Sequence, residues 1–248
     1  SACTAACPVG TFSTGVGGAC EPCAAGTFQN AEGADACKTC PMEQFSFEGS
    51  PWCLPYPAPS HSFNFRDCVD GEAVRDGVGS KAMVALPFGT TVCSTDGIFL
   101  NGVDGFVDLS DWEWGGETSF EVYFKPQTFT SGTAIFEFSS GSSADFVRLT
   151  LAGSTGSVMF NVFGNGQDNY AVGTNVLEAG TWAHVVATVG ASELNLYVNG
   201  VLVGTPVMLP PLPLTKTRSK GWIGKEIWSE PPFHGTVAYM RFWNGVAL

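Results

Sequence analysis

Three near-copies of one short cysteine loop open this chain and limit what its first part can become. They run from Cys7-Pro-Val-Gly-Thr-Phe-Ser to Cys20, from Cys23-Ala-Ala-Gly-Thr-Phe-Gln to Cys37, and from Cys40-Pro-Met-Glu-Gln-Phe-Ser to Cys53. Each begins at a cysteine, carries an aromatic residue five positions on, and passes a turn before its closing cysteine. A repeat this short cannot bury a core of its own, so covalent cross-links must hold it. Pairing Cys7 with Cys20, Cys23 with Cys37 and Cys40 with Cys53 closes three similar loops, each stabilising by roughly 3 kcal/mol through the unfolded chain. An interleaved connectivity stays open at this level. Cys20-x-x-Cys23 and Cys37-x-x-Cys40 have zinc-ligand spacing, but the shared Gly-Thr-Phe phase explains the intervals better than metal geometry does. Cys68 and Cys93 make a fourth pair in the larger part, and Cys3 is left unpaired within this chain. By phase Cys3 closes an earlier loop, which points to a chain that starts in mid-repeat, or it links to another molecule.

The 248 residues allow one small module and one medium domain. We divide them into cysteine-rich repeats over 1–54, a Pro-rich linker over 55–61 and a second domain over 62–248. The linker, Pro55-Tyr-Pro-Ala-Pro-Ser60, is a stiff extended connector whose composition suits O-glycosylation. No Asn-x-Ser/Thr acceptor occurs anywhere. Serine comes first, with no charged and apolar leader before it, as expected for a processed or excerpted chain. A formal charge of −12 argues against nucleic acid or anionic lipid as a partner. No apolar run approaches the roughly 20 residues that span a bilayer. Only 14% of residues are charged, against roughly 25% in ordinary soluble domains. A surface so poor in charge calls for cover by glycans or by neighbouring protein.

From about Ser62 onward short alternating runs recur, bounded by Gly, Asn, Asp and Ser: Gly97-Ile-Phe-Leu-Asn, Phe106-Val-Asp-Leu, Thr118-Ser-Phe-Glu-Val-Tyr-Phe, Phe146-Val-Arg-Leu-Thr-Leu, Val158-Met-Phe-Asn-Val-Phe, Ala183-His-Val-Val-Ala-Thr-Val, Leu194-Asn-Leu-Tyr-Val and Thr236-Val-Ala-Tyr-Met-Arg-Phe. Asn199-Gly200 between two such runs is a two-residue hairpin signal, because both residue types tolerate positive φ. No segment keeps a helical period. The fold class is therefore all-β: disulfide-rich short repeats plus an antiparallel jelly-roll sandwich of two packed sheets.

Several of these segments, in order, carry a family resemblance. Gly102-Val-Asp-Gly-Phe-Val-Asp-Leu with Thr118-Ser-Phe-Glu-Val-Tyr-Phe-Lys-Pro resembles laminin-G-like, concanavalin A-like domains. So do Trp182-Ala-His-Val-Val-Ala-Thr-Val, Leu194-Asn-Leu-Tyr-Val-Asn-Gly-Val-Leu-Val-Gly, Gly221-Trp-Ile-Gly and the closing Phe233-His-Gly-Thr-Val-Ala-Tyr-Met-Arg-Phe-Trp. The first 54 residues resemble the cysteine repeats of ephrin-receptor ectodomains, the third copy departing with Glu43-Gln44 in place of Gly-Thr. The resemblance implies a jelly roll in an extracellular setting. It fixes no ligand, since this fold serves adhesion, sugar binding and glycan hydrolysis alike.

Glycoside cleavage needs two carboxylates on one strand face, and the family's Glu-x-Asp-x-x-Glu pattern is absent. The pair Glu113 and Glu117 reads as a loop, His184 as packing or surface, and no catalytic residue is assigned. The chain is not read as an enzyme. Asp104, Asp108, Asp111 and Asp168 are weak calcium candidates, because they lie in or beside loops and calcium takes many oxygen ligands; no other cofactor is indicated. Trp112 and Trp114 share a side if Asp111-Trp-Glu-Trp-Gly is extended, which would make a sugar or interface platform; Trp228 and Tyr56 also look free of core motifs. Lys216, Arg218, Lys220 and Lys225 gather four of the eleven basic residues, and the first three alternate onto one face. The acidic stretch Asp67, Asp70, Glu72 and Asp76 could complement that patch on a second copy, giving head-to-tail assembly. Leu209-Pro-Pro-Leu-Pro-Leu214 beside it reads as an exposed arm. The reading that follows is a secreted structural protein that assembles with copies of itself or with other extracellular proteins into a fibril, matrix or surface appendage. The alternative is a monomeric adhesion or carbohydrate-binding module.

Overall fold

The computed structural model describes residues 6–15, 18–24, 26–41, 44–46, 49–55, 57–78, 84–140, 145–164, 166–208, 210 and 212–248. Cys3, Glu43 and Tyr56 lie outside them, as do Leu209 and Pro211 of the proline segment. The chain forms two compact units that divide between Ala58 and Pro59.

In the first unit the bonds are Cys7–Cys20, Cys23–Cys37 and Cys40–Cys53. Its strands are only two residues long: Thr11–Phe12 pairs with Glu21–Pro22, Thr27–Phe28 with Lys38–Thr39, and Gln44–Phe45 with Leu54–Pro55. Successive loops are laced together by backbone. Gly10 N–H donates to the Gln29 carbonyl at 2.7 Å and Gly26 N–H to the Ser46 carbonyl at 3.0 Å; Cys23 and Cys40 N–H donate back to Gly10 and Gly26. Gly10 takes φ +82°, a left-handed conformation that glycine adopts without strain. A Cβ there would also collide with the Gly49 carbonyl. Among the described residues of this unit, Cys7 and Cys23 are the only buried apolar side chains. Covalent bonds and backbone lacing hold its described residues together.

The second unit is a two-sheet antiparallel sandwich. The nine-stranded sheet runs Thr91–Ser94, Gly97–Asn101, His234–Asn244, Thr118–Pro126, Ala183–Val189, Glu193–Val198, Val201–Leu202, with His61–Asn64 and Val207–Met208 added beside it. The eight-stranded sheet runs Gln167–Gly173, Val158–Gly164, Phe146–Leu151, Ala134–Ser139, Lys220–Ile223, Phe106–Leu109, Val84–Phe88, Val74–Arg75. One 3-10 turn, Phe65–Asp67, interrupts the strands, and Cys68–Cys93 fastens the chain just after it to the strand Thr91–Ser94. Alternation assigns the faces. Phe120, Val122 and Phe124 point from one sheet and Phe136, Phe138, Leu149 and Phe160 from the other into a common core. Phe120 lies at its centre, with Phe242 at 5.0 Å, Phe136 at 5.1 Å and Trp114 at 5.5 Å between ring centroids.

The all-β class and the alternating runs hold. Asn199 and Gly200 take φ of 51° and 79°, the doubly positive pair that a tight hairpin requires. Three readings need correction. His61 belongs to a strand paired with His234–Asn244, because its ring packs between Trp112 and Phe242 and its Nδ1 meets the buried Asp76 at 2.7 Å. Glu113 lies in the short strand Trp112–Trp114, paired with Lys216–Arg218, and not in a loop. The proline segment is no free arm: Pro213 is buried and its carbonyl accepts from Gly116 N–H at 2.8 Å, while Leu212 packs on the core.

Candidate functional site

The outward residues of the eight-stranded sheet are not all solvated. On Ala134–Ser139 and Phe146–Leu151, the alternation that sends Phe136, Phe138, Leu149 and Leu151 inward sends Glu137, Arg148 and Thr150 outward, with Glu137 directly opposite Arg148. The segment after Lys220–Ile223 folds back over them, its ends joined by Phe233 N–H to the Gly224 carbonyl at 2.8 Å. Ile227 N–H donates to Glu137 Oε1 at 3.2 Å, and Arg148 Nη1 donates to Glu226 Oε2 at 3.2 Å. Arg148 Nε reaches Asn161 at 3.2 Å, and its guanidinium sits in the corner between the Phe146 and Trp228 rings, 4.6 Å from each. Beside this corner is a hollow of about 390 Å³, lined by Arg148, Thr150, Met159, Glu226, Trp228 and Glu230 among others. Trp228 is 38% exposed at its rim. Thr150 is 1% exposed, and its hydroxyl has no partner among the described residues.

Burial, and then the adjacent Glu226 charge, push the Glu137 carboxyl up to about 7. Burial also raises Glu226, with Arg148 opposing it. Two carboxyls with raised affinity for protons thus lie close together, Glu137 on the sheet and Glu226 in the loop that covers it. Glu137 is fully buried and its oxygen is bound by a backbone N–H, which makes it an anchor for the loop rather than a group that reaches a substrate.

Of the residues singled out in the sequence, Trp228 lies at this hollow. Trp112 and Trp114 do share a side, but it is the inner one. Trp114 is 1% exposed and packs edge-on against Phe120, Phe138 and Phe242, and Trp112 packs on Phe138 and Phe242. No platform is formed by them. The four basic residues do not form one patch either. Arg218 is buried, 3.8 Å from the Trp114 ring centre and bound to the Trp114 carbonyl and Asp145. Lys216 pairs with Asp145 at 2.5 Å. Burial lowers the Arg218 pKa while Asp145 opposes that shift. Lys220 and Lys225 lean over Trp222, and Lys225 stands 4.2 Å over Phe106. In the acidic stretch, Asp76 is buried against His61 and Ser62, and Asp70 accepts from Cys93 N–H at 2.6 Å.

The four aspartates proposed for calcium stay apart. Asp104 organises its own turn, accepting from Asn101 Nδ2 at 2.7 Å and Thr90 N–H at 3.1 Å, and the Asn101 bond foremost holds its carboxyl below the usual range. Asp108 accepts from Trp222 Nε1 at 3.1 Å, Asp111 is exposed, and Asp168 accepts from Asn161. Asp108 and Asp168 lie on strands separated by four others. Among the described residues no group of three or more His, Cys, Asp or Glu is placed to hold a metal ion. His184 Nε2 meets Glu121 Oε1 at 2.7 Å on the outer face of the nine-stranded sheet, where Tyr239 and Arg241 also reach Glu121. Burial opposes ionisation of Glu121, but these partners outweigh it and lower its pKa.

Sequence reasoning missed Glu137, Arg148, Thr150 and Glu226. The one local signal was Glu137, a lone charge within Ala-Ile-Phe-Glu-Phe-Ser.

The chain belongs to the concanavalin A-like lectin/glucanases superfamily, which matches residues 101–248. The tyrosine-protein kinase ephrin type A/B receptor-like family matches residues 10–49. Among solved structures, the chain is similar to domain 4 of an extracellular GH43 arabinanase from Geobacillus stearothermophilus, in complex with arabinotriose, at 20% identity and TM-score 0.61, covering 77% of this chain and 94% of that one. It is also similar to Trypanosoma rangeli sialidase, at 14% identity and TM-score 0.54, covering 82% of this chain and 33% of that one. The receptor-binding domain of botulinum neurotoxin mosaic serotype C/D matches at 13% identity and TM-score 0.52, over 77% of this chain and 48% of that one. These likenesses concern the fold. No curated protein sequence matches the chain.

Proposed function

We propose that this protein is a non-enzymatic extracellular module that binds carbohydrate in the Arg148–Trp228 hollow. The observation that carries the reading is the hollow itself. It is concave, edged by a half-exposed tryptophan, and holds a buried hydroxyl without a partner among the described residues, the mixture of apolar wall and few directed polar groups that small-ligand sites use. Its volume of about 390 Å³ lies within the ordinary range for such sites. The arabinotriose complex of one similar domain supplies the ligand class by analogy. Four disulfides support an oxidising, extracellular setting. Among the described residues no helix is long and apolar enough to cross a membrane. A non-catalytic role is favoured because Glu137 is sealed from solvent and Glu226 is paired with Arg148. Binding to a glycan array that disappears in Trp228→Ala, with an unchanged melting temperature, is the expected result; wild-type binding that survives this change removes the hollow from the reading.

A second reading is self-association. Its electrostatic form has lost Lys216 and Arg218 to Asp145. What favours it now is an apolar strip on the same sheet, where Leu86 is 42% and Phe88 is 45% exposed, with Phe88 stacked on Phe106 at 5.2 Å. Contiguous exposed apolar surface is a common mark of protein contact. Sedimentation of the purified chain should then show oligomers that Phe88→Ser disperses.

A further inference from the structure

We infer that the hollow takes an uncharged sugar whose hydroxyl groups donate to Glu226 and Glu230, and that it turns away sugars bearing a carboxylate or sulfate. This rests on the carbohydrate reading above and deepens it to a ligand class. An anionic sugar needs a free cationic donor. Arg148 is the one cation among the residues lining the hollow, and it is already committed: Nη1 to Glu226, Nε to Asn161, and its guanidinium against two rings. Around it the lining carries two carboxyls, Glu226 and Glu230, with Glu137 sealed just behind. A ligand carboxylate would enter beside the like charges of Glu226 and Glu230, with the one nearby cation already turned to Glu226, and such juxtaposition is a strong means of rejection.

Hydroxyls meet the opposite situation. Carboxylates are acceptor-only groups with several lone-pair sites, and bonds to them are among the stronger ones. Glu226 Oε1 has only a long 3.4 Å contact from Glu230 N–H, and Glu230 itself is exposed. The independent sign of a ligand is Thr150. Its side chain alternates outward with that of Arg148, is buried, and ends in a hydroxyl that no described group satisfies. Such a group pairs with a hydroxyl of either donor or acceptor sense. Met159 and Trp228 supply the apolar wall for the carbon face of a sugar ring.

The test compares neutral oligosaccharides with the same oligosaccharides carrying a terminal sialic acid, a uronic acid or a sulfate, titrated calorimetrically into the whole chain at neutral pH. Neutral ligands should bind at least about tenfold tighter than their acidic counterparts. Glu230→Gln should weaken neutral binding by about tenfold without moving the melting temperature, since the residue is exposed. Glu230→Lys should narrow the gap between neutral and acidic ligands. Acidic sugars that bind as tightly as neutral ones, or a Glu230→Gln protein that binds unchanged, overturn the inference while leaving carbohydrate binding intact. If none of the neutral and acidic sugars binds at all, the carbohydrate reading falls and this inference with it.

Discussion

The two units solve the same problem by opposite means. The cysteine unit has two-residue ladders and, among its described residues, two buried apolar side chains, so each loop is closed by sulfur and stitched to the next by backbone. The sandwich has one disulfide and a continuous core that draws on both sheets. Its polar residues are then free to be buried for other purposes, as Arg218, Asp145, Glu137 and Glu226 are. A region without a core cannot carry such groups, because burying a charge demands surrounding structure that holds its partners in place.

This contrast can be broken experimentally. The largest effect should come from Phe120→Ala, which removes the ring at the centre of the sandwich and should cost about 3–5 kcal/mol. Denaturant melts would show it, while hydrogen exchange in residues 6–55 stays unchanged. Asp145→Ala should follow at roughly 3 kcal/mol or more, because Arg218 would keep its charge in the interior without a counter-ion; Asp145→Ala with Arg218→Met should recover much of the loss. Replacing Cys23 and Cys37 together by Ser should cost about 3 kcal/mol, confined to the first unit, and a sandwich melting transition that shifts with it would contradict the separation. The smallest effect is a pH dependence. Glu137 holds its proton to about pH 7 in the folded chain against 4.5 otherwise. Its contribution is therefore complete below about pH 4.5 and is lost as pH rises through 7, up to about 3 kcal/mol in all. Stability measured across that window should fall in the wild type, and Glu137→Gln should flatten the profile.

The strands were legible because a half-buried strand writes its faces into the sequence as alternation; Phe146–Leu151 and Ala183–Val189 begin and end where the pattern does. Which face points inward was not legible where both faces carry large residues. Trp112 and Trp114 alternate correctly, yet nothing local says that their side meets Phe120 and Phe242. Charge misled in the same way at Arg218, since a basic residue beside two lysines looks solvated until Asp145 and the Trp114 ring are brought to it. The hollow was hidden for a different reason. Glu137 and Arg148 face each other across neighbouring strands, but Glu226 is 78 residues from Arg148 in the chain and reaches them only because its loop folds back over the sheet, which local pattern does not specify. Trp228 stood out because it falls outside every repeating run.

The sequential disulfides also set how the first unit answers a pull along the chain. The three bridges join cysteines separated by 13, 14 and 13 positions, so tension is carried across sulfur and the loop interiors never feel it. Only the short links Cys20 to Cys23 and Cys37 to Cys40 can straighten. Such a segment lengthens very little under load and needs no refolding when the load is removed, which makes it a nearly inextensible tether for whatever it is joined to.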